Sequence, residues 1–432
     1  MARKMKDSGI EWIGEIPEGW EITRLKYLAD FEPTCDTSYL TDESKITYTP
    51  MECVKNGGFE NRSALYGNLS HTLTPFQNGD IAMAKVTPCF ENGNIAIMDN
   101  LFSGFGLGSS ELFIFRPKSI STRYFFYWLQ NKAFVARACS TMTGTGGLKR
   151  ISPSFIRNCP VHCPSTDEQT KISDYLDAKC SEIDDLLTSV RSSIEEYKKL
   201  KQAIITQAVT KGVRGEREMK DSGVEWAGLV PHHWGVAKIG SIGQTSSGAT
   251  PLRSKESSFF DDATIRWVRT LDLNDGFVYD SSEKITELAL ASSACSIMPK
   301  GTVCVAMYGG AGTIGKCGLL MSDCATNQAV CSIVCNRKIV SPIFLLMQLL
   351  ALKSYWMKYA VGTRKDPNIS QDIVARMKIL IPPLDEQKEI TDHLDAKCAE
   401  IDGLIAKKEQ LVKELESYKK SLIYEVVTGK RE

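Results

Sequence analysis

The residues from Gly310 to Lys316 (Gly-Ala-Gly-Thr-Ile-Gly-Lys) have types and a spacing that could bind a nucleotide phosphate. They fit GxGxxG, which is typical of a dinucleotide-binding fold, and GxxxxGK, which is typical of a phosphate-binding loop. Both chemistries need a helix whose N-terminus faces the phosphate. Here Cys317 replaces the Ser or Thr that would hold magnesium, and the following Gly-Leu-Leu-Met predicts a strand. The pattern therefore favours a simple glycine-rich turn, or a hairpin whose backbone can approach DNA, over nucleotide binding.

Other patterns that would indicate catalysis are missing from the sequence. It contains no HExxH, no GxSxG and no paired carboxylate cluster, and its 5 histidines form no constellation. Ile381-Pro-Pro-Leu and Ile151-Ser-Pro-Ser lack the Asn/Asp/Ser-Pro-Pro-aromatic pattern with which an amino-methyltransferase grips a flipped base. The 14 cysteines are scattered without CxxC spacing, as expected of small buried side chains in a reducing cytosol. The sequence predicts a chain without catalysis, without a metal site and without a cofactor of its own.

Polar and basic loops could instead read DNA, because base readout needs amide, hydroxyl and guanidinium groups presented by a rigid scaffold. Two basic pairs, Lys149-Arg150 and Arg364-Lys365, stand at matching places before an Ile-Ser dipeptide and are predicted to clamp phosphates. Each residue alone also fits an ordinary solvated loop, whereas the set favours DNA. The candidate DNA-binding residues are Lys85, Thr87, Asn92, Asn94, Ser109, Ser110, Thr143, Thr145, Lys149, Arg150, Ser246, Ser247, Thr250, Arg253, Arg269, Tyr308, Asn327, Gln328, Thr363, Arg364 and Lys365.

The distribution of charge fits this interpretation better than the total does. The formal net charge is zero, which disfavours a simple basic DNA coat. Residues 235–368 carry 14 basic and 10 acidic side chains, and residues 21–150 carry 13 and 12. Residues 166–210 carry 6 basic and 9 acidic side chains, and residues 384–428 carry 7 and 11. This pattern suits a protein that contacts DNA in some segments and other proteins in the acidic ones.

Internal repetition is the strongest pattern in the sequence. Residues 5–20, MKDSGIEWIGEIPEGW, recur in closely similar form as MKDSGVEWAGLVPHHW at 219–234. Asp-Glu-Gln at 167–169 and Leu-Asp-Ala-Lys-Cys at 176–180 return, with the same spacing, at 385–387 and 394–398. The intervening segments, 21–150 and 235–368, show little identity. The chain therefore reads as constant ends around two unlike middles.

Each later constant segment predicts a helix of about 45 residues, since apolar residues recur at alternating spacings of four and three. Ser165 and Glu168 predict a capping box at the first start, and Pro382-Pro383 precedes the second. Gly212 and Gly429 are the predicted stops. Packing of each helix on its own domain is the alternative, but equal seams favour an antiparallel coiled coil between the two, with lysines at 201, 408 and 419 in the seam. The predicted seam is Leu176, Cys180, Ile183, Leu187, Ile194, Leu394, Cys398, Ile401, Ile405 and Leu415.

The middle segments predict an α/β or α+β fold, because short β-type runs are joined by Gly-, Ser- and Thr-rich turns. Strands are expected at 80–86, 111–116, 302–308 and 329–334, and helices at 124–131 and 343–350. A chain of 432 residues suits two such domains. The sequence contains no apolar run of about 18 residues, so no membrane span is expected. The first residues also lack the apolar core of a secretory signal.

The whole chain resembles the specificity (S) subunits of type I restriction enzymes. The resemblance is carried by DSGIEWIGEIPEGW at 7–20 and its copy at 221–234, by DEQ…LDAKCSEID from 167, and by PPLDEQ…LDAKCAEID from 382. It implies two target-recognition domains, at 1–160 and 214–380, each reading half of a bipartite double-stranded DNA site. It implies two spacer helices, at 161–213 and 381–432, which set the gap within a pseudo-twofold repeat.

The resemblance also implies partners and a location. Two methyltransferase subunits would dock on the chain, with two translocase–nuclease subunits in the restricting form. S-adenosylmethionine, ATP and Mg²⁺ would belong to those partners, in the cytoplasm of a bacterium or archaeon. Two alternatives stay open: a standalone DNA methyltransferase or nuclease, and a structural scaffold held by the coiled coil.

Overall fold

Two compact units make up the chain in a computed structural model that describes residues 3–55, 57–70, 72–145, 147–309, 312–362 and 367–431. The first unit comprises Met1–Arg191 and Gln410–Glu432, and the second comprises Ser192–Glu409. The borders between the units fall inside the two long helices. The sequence-based division at 160, 213 and 380 follows the repeats instead and stays a prediction.

The first unit is built from short strands, short helices and the beginning of a 46-residue helix. Single-turn 3-10 helices at Met51–Cys53, Tyr66–Asn68 and Phe102–Gly104 lie in its loops. Its elements in chain order are β1 (Met5–Asp7), β2 (Glu15–Pro17), β3 (Glu21–Arg24), α1 (Leu25–Leu28), β4 (Ala29–Phe31), β5 (Lys45–Thr49), β6 (Val54–Lys55), β7 (Gly58–Phe59), β8 (Arg62–Leu65), β9 (Thr74–Gln77), β10 (Asp80–Ala84), β11 (Ile95–Met98), β12 (Phe105–Gly108), β13 (Leu112–Pro117), α2 (Thr122–Trp128), α3 (Lys132–Ser140), α4 (Pro153–Asn158), β14 (Pro160–Cys163) and α5 (Thr166–Lys211).

The second unit follows a similar order and leads into a 44-residue helix. Two 3-10 helices, at Arg253–Lys255 and Thr270–Asp272, lie in its loops. Its elements are β15 (Met219–Asp221), β16 (Leu229–Pro231), β17 (Gly235–Lys238), α6 (Ile239–Ile242), β18 (Gly243–Ser247), α7 (Glu256–Phe260), β19 (Ile265–Val268), β20 (Gly276–Val278), β21 (Lys284–Ile285), α8 (Glu287–Ala291), β22 (Ile297–Met298), β23 (Val303–Ala306), β24 (Cys317–Leu320), β25 (Cys324–Thr326), β26 (Val330–Cys335), α9 (Pro342–Ala351), α10 (Trp356–Tyr359), β27 (Val361–Gly362), β28 (Pro367–Asn368), α11 (Gln371–Arg376), β29 (Lys378–Ile381) and α12 (Leu384–Val427).

Two four-stranded sheets form the centre of the first unit, with strand orders β11-β10-β13-β4 and β8-β5-β12-β9. Neighbouring strands pair antiparallel, except that β5 and β12 run parallel with Thr47 opposite Gly106. Strands β10 and β13 occupy the middle of their sheet. Their runs Ile81–Ala84 and Leu112–Phe115 are buried throughout, which explains why apolar residues follow one another without alternation.

The second unit repeats this topology although its sequence is unlike that of the first. Its sheets have the orders β18-β26-β23-β24-β20 and β21-β19-β25-β22. The strands β4, β5 and β8–β13 correspond in chain order to β18, β19 and β21–β26. The parallel pair recurs as β19 with β25, and the additional β20 extends one sheet beside β24. The prediction of two copies of one mixed α/β fold is therefore confirmed.

Apolar helices close each core against its sheets. In α2 the five consecutive residues from Tyr124 to Trp128 are buried, so this short helix is enclosed on all sides. The ring of Trp128 lies 5.0 Å from that of Phe134 on α3. In the second unit, α9 begins with Pro342, which suits the first helical position, and buries a run of aliphatic residues. The predicted strands at 80–86, 111–116, 302–308 and 329–334 and the helices at 124–131 and 343–350 are confirmed to within a few residues.

In the first unit, the beginning of α5 packs against the end of α12. Lys419 Nζ donates to both carboxylate oxygens of Asp184 at 2.7 Å. Further along α5, Arg191 forms an ion pair of 2.6 Å with Glu416. As the residue number rises along α5 from Asp184 to Arg191, the number of the partner on α12 falls from Lys419 to Glu416, so the two segments run antiparallel.

In the second unit, the end of α5 packs in the same way against the beginning of α12. Lys201 Nζ donates to both carboxylate oxygens of Asp402 at 2.7 Å. The ammonium of Lys408 lies 5.6 Å from the ring centroid of Tyr197. The lysine–aspartate pair stands at the same repeat positions as the pair in the first unit. The prediction that the two long helices pair with each other antiparallel is confirmed, and the seam lysines have acidic or aromatic neighbours on the other helix.

The predicted seam residues differ in burial. Ile405 and Leu415 are half-buried. The residues that are at least nine-tenths buried are Leu176, Cys180, Ile183, Leu187, Ile194, Leu394, Cys398 and Ile401.

The ends of the long helices agree with the sequence except at one cap. Helix α12 starts directly after Pro383, and Gly212 directly follows α5 with a φ of +75°, a left-handed conformation that favours glycine. At the start of α5, Ser165 Oγ accepts from the amide of Glu168 at 3.4 Å, which is one half of the predicted capping box. The other half is wrong, because the carboxylate of Glu168 instead accepts from Trp20 Nε1 at 2.9 Å.

Candidate nucleic-acid interface

The three polar loops predicted in the first unit meet at one edge of its sheets. Strand β10 ends beside the start of β13, with Ala84 opposite Leu112, so the loops that follow β10 and precede β13 leave from the same place. The loop 143–150 joins them, because the amide of Thr87 donates to Lys149 O at 2.9 Å. The Thr87 hydroxyl also donates to Gly147 O at 2.9 Å. The sequence identified these loops separately, and the structure brings them together.

The side chains at this edge have different surroundings. Lys85 Nζ lies 5.4 Å from the ring centroid of Phe113, so this lysine lies over the sheet. Arg150 donates to Glu111 from Nε at 2.9 Å and from Nη2 at 2.6 Å. This pairing lowers the pKa of Glu111, chiefly through the hydrogen bond from Arg150. Asn94 and Ser109 are half-buried, and the exposed candidates are Asn92, Ser110, Thr143, Thr145, Lys149 and Arg150.

The corresponding edge of the second unit gathers the ends of β18, β19, β23 and β25. The amide of Asn327 donates to Val268 O at 3.0 Å, and that of Ala249 donates to Thr326 O at 3.0 Å. A Cβ on Gly248 would lie 1.9 Å from the Thr326 carbonyl oxygen, so only glycine allows this approach. Candidate residues at this edge are Ser246, Ser247, Thr250, Arg269, Tyr308, Asn327 and Gln328.

Two candidate arginines in the second unit share one carboxylate. Arg253 donates to Glu283 at 2.6 Å, and Arg269 donates to the other oxygen of Glu283 at 2.5 Å. Arg253 also lies over the ring of Phe260, with 4.4 Å between its Cζ and the ring centroid. The sequence did not single out Glu283. Its position just before a short β-type run gave no indication that it would meet arginines from two other segments.

Three further parts of the predicted set can be placed. Thr250 donates a hydrogen bond to Gln328. The glycine-rich segment after Tyr308 joins the antiparallel strands β23 and β24. The strand predicted after Lys316 is confirmed as β24, so no helix begins there to receive a phosphate. Thr363, Arg364 and Lys365 lie outside the described residues.

The repeated Asp-Glu-Gln segments anchor each sheet domain to its long helix. Gln169 Oε1 accepts from the amide of Ser121, the N-cap of α2, at 2.8 Å. In the second unit Gln387 Oε1 accepts from the amide of Ser341, before α9, at 2.8 Å. The preceding glutamate accepts an indole N–H in both copies, and Trp234 Nε1 reaches Glu386 at 3.1 Å. These contacts give the glutamate, the glutamine and the tryptophan the same structural role in both copies.

The end of α12 is fixed to the first unit by two buried side chains. His162 Nε2 lies 2.7 Å from Val427 O, and the Tyr124 hydroxyl donates to the same oxygen at 3.2 Å. The His162 ring stacks on Trp20 with centroids 5.6 Å apart. Burial lowers the pKa of His162 to about 4, against the smaller opposing effect of the bond to Val427. His162 is therefore neutral at neutral pH.

Replacing His162 with leucine, the residue found at the matching position 380, should remove one source of acid sensitivity. The unfolded chain takes up a proton near pH 6.5, whereas the folded chain takes it up only near pH 4. The contribution of neutral His162 to the free energy of unfolding is thus complete above pH 6.5, and roughly 3 kcal/mol of it is lost as the pH falls to 4. Hydrogen exchange of first-unit amides at pH 7 and pH 4.5 compares the two proteins. An equal loss in both would contradict this assignment.

In the described ranges, no group of three or more His, Cys, Asp and Glu side chains is placed to hold a metal ion. Within the same ranges, no helix combines the length and apolarity that a membrane crossing requires.

A family model described as type I restriction modification DNA specificity domain matches residues 17–196 and 231–414. The chain is also 34% identical over 196 residues to the EcoAI specificity subunit of a type I restriction enzyme from Escherichia coli. That match covers 44% of this chain and 33% of the relative, so the chain spans about a third of that relative's length. The MjaVIII specificity subunit from Methanocaldococcus jannaschii is 23% identical over 96% of this chain and 93% of its own length.

One solved structure shares the fold over nearly the whole chain. It comes from a study of complex assembly and conformational transition of the type I R-M system. The TM-score is 0.72 at 15% identity, over 95% of this chain and 98% of the other. Because the family model matches two segments that together cover most of the sequence, the chain belongs to the type I restriction–modification specificity family. The resemblance in the repeated motifs is thereby confirmed.

Proposed function

We propose that this chain is the non-catalytic DNA-recognition subunit of a type I restriction–modification complex. Each unit reads one half of a bipartite site through its loop edge, and the paired helices set the gap. The observation that carries the proposal is the recurrence of one strand-end edge in both units with unlike polar side chains. Equal scaffolds with unequal loops suit the reading of two different sequences by one frame.

The proposed partners follow from the charge of the long helices and from the family. Residues 166–210 and 384–428 are acidic and carry mostly exposed charged side chains outside the seam. We assign these faces to two methyltransferase subunits, joined by two translocase–nuclease subunits in the restricting complex. S-adenosylmethionine, ATP and Mg²⁺ belong to those subunits, and the complex acts in the cytoplasm.

Methylation mapping tests this function. The purified chain is combined with its methyltransferase subunit, S-adenosylmethionine and a plasmid library, and methylated adenines are located by single-molecule sequencing. We expect methylation at two short specified segments separated by an unspecified gap of fixed length, and no methyl transfer by the chain alone. The methyltransferase subunit without the chain is the control.

Two other results would replace the proposed function. Methyl transfer by the purified chain alone would make it a standalone methyltransferase, and DNA cleavage by it would make it a nuclease. Methylation by the complex without sequence preference would make it a scaffold.

A further inference from the structure

We propose that Arg150 reads a guanine in the half-site contacted by the first unit. The inference rests on the proposed function and adds a residue and a base to it. It also replaces the phosphate contact predicted for Arg150 from the sequence. Three features carry it: a fixed backbone, a braced guanidinium and a free pair of donors.

The backbone of Arg150 is fixed at the edge where the three loops meet. Its amide donates to Thr143 O at 2.9 Å, and its carbonyl accepts from the Thr143 amide at 3.1 Å. Val86 forms an isolated β-bridge to the same residue. The next amide, that of Ile151, donates to Lys85 O at 3.0 Å. Arg150 thus leaves from a rigid position between two segments instead of from a loose loop.

Glu111 braces the guanidinium along one edge only. Its carboxylate accepts from Nε at 2.9 Å and from Nη2 at 2.6 Å. These two donors form the lateral edge of the planar guanidinium. The outer edge, formed by Nη1 and the second Nη2 hydrogen, has no partner among the described residues. Because the Arg150 side chain is 47% exposed, that outer edge can be reached by DNA.

Two adjacent donors of this kind match the O6 and N7 acceptors of guanine in the major groove. A guanidinium already held by a carboxylate loses little side-chain freedom when it binds, which favours a directional contact. Paired with Glu111, Arg150 also adds no net charge, so it gains less from displacing counterions than a free cation does. The pair therefore suits base reading better than phosphate binding.

Two other cationic side chains, one in each unit, show the contrast. Lys149 is exposed, and its ammonium has no partner among the described residues, as suits a phosphate contact. Arg269 in the second unit uses Nη1 for Glu283 at 2.5 Å and Nη2 for Ser282 at 2.9 Å, and its Nε is buried. Its donors are turned into the protein. Arg150 differs from both, because Glu111 fixes its guanidinium while the outer edge of that group stays exposed.

The test compares methylation motifs of the complete complex carrying Arg150→Lys, Arg150→Gln, Glu111→Gln or Lys149→Gln. The wild-type motif should contain a guanine in one half-site. Arg150→Gln should lose discrimination at that base pair by roughly 10- to 100-fold, because the bidentate pair is lost. Arg150→Lys should lose less, because an ammonium can still donate to guanine but lacks the planar fork. Glu111→Gln should relax the same position by a smaller factor. Lys149→Gln should weaken methylation of all sequences equally and reduce its dependence on salt.

The outcomes separate this inference from the proposed function. A wild-type complex without a bipartite motif would overturn the proposed function itself. Two results would overturn only the guanine assignment. In the first, the wild-type motif is bipartite and stays unchanged in both Arg150 variants. In the second, these variants methylate all sequences more slowly by the same factor. The half-site read by the second unit is the internal control for folding. Its motif should be the same in every variant, and a change confined to that half would also refute the assignment.

Discussion

Exchanging residues 239–377 for the corresponding segment of another family member should change one half of the DNA site completely and leave the other half intact. This replaces everything between β17 and β29, which pair with each other with Gly235 opposite Ile381. The exchange therefore keeps the strand pair that closes the second unit. It also keeps Trp234 and Glu386, which tie that unit to α12. The new half-site should be the one that the donor reads with the same domain.

The reciprocal exchange of residues 25–159 is the matched control. It leaves β3 and β14 paired, with Arg24 opposite Pro160, and should change the opposite half of the site. Single-molecule methylation mapping gives both motifs in one experiment. If either exchange altered both halves, the two units would not read independently, and modular recognition would have to be abandoned.

Replacing Glu386 with alanine should destabilise the second unit by about 3 kcal/mol, because it leaves buried partners without their acceptor. The Glu386 side chain is fully buried, and it pairs with Arg217, whose side chain is 16% exposed. The same carboxylate is hydrogen-bonded to His233 Nε2 at 2.8 Å and to Trp234 Nε1 at 3.1 Å. Urea unfolding followed by hydrogen exchange of second-unit amides measures the loss.

The first copy supplies a matched control for this substitution. Glu168 pairs with Arg3 and accepts from Trp20, but the two charged side chains are 26% and 34% exposed. Water can solvate what the substitution leaves behind, so Glu168→Ala should cost the first unit only about 1 kcal/mol. Equal losses in the two units would show that burial does not decide the cost.

Acid should weaken the same contact. Burial opposes ionisation of Glu386, but hydrogen bonds from His233, Arg217 and Trp234 outweigh it and lower its pKa below 4.5. The contribution of ionised Glu386 to the stability of the second unit is therefore complete above pH 4.5 and is lost as the pH falls below that value. Glu386→Gln, which keeps an acceptor oxygen without the charge, should remove this part of the pH dependence.

The repeated ends were readable from the sequence because their patterns are local. The period of three and four in 176–208 predicts a helix wherever it lies, and the equal seam in the second copy predicts its partner. The shared topology of the unlike middles was not readable. The parallel pairing of β5 with β12 joins Thr47 to Gly106 without a connecting turn, so no short-range pattern reports it.

For the candidate interface, the sequence predicts which residue types take part, but not which side chains they pair with. Hydroxyl, amide and basic side chains were recognisable as groups that contact DNA, and the loops carrying them meet at one edge in each unit. The carboxylates that hold the arginines, Glu111 and Glu283, lie outside the candidate set, because nothing in the local sequence shows which acidic side chain meets which arginine. The sequence predicts that Glu168 caps a helix, but its repetition as Glu386 indicates a second role.

The division of the two units along the chain has a consequence for biosynthesis. The second unit is continuous, from Ser192 to Glu409, whereas the first needs Gln410–Glu432 to complete it. Leu422, Ile423 and Val427 fill the core of the first unit, and these residues leave the ribosome after the whole of the second. The first unit to be translated is therefore the last to be completed, because part of its core is synthesised only after the whole of the second unit.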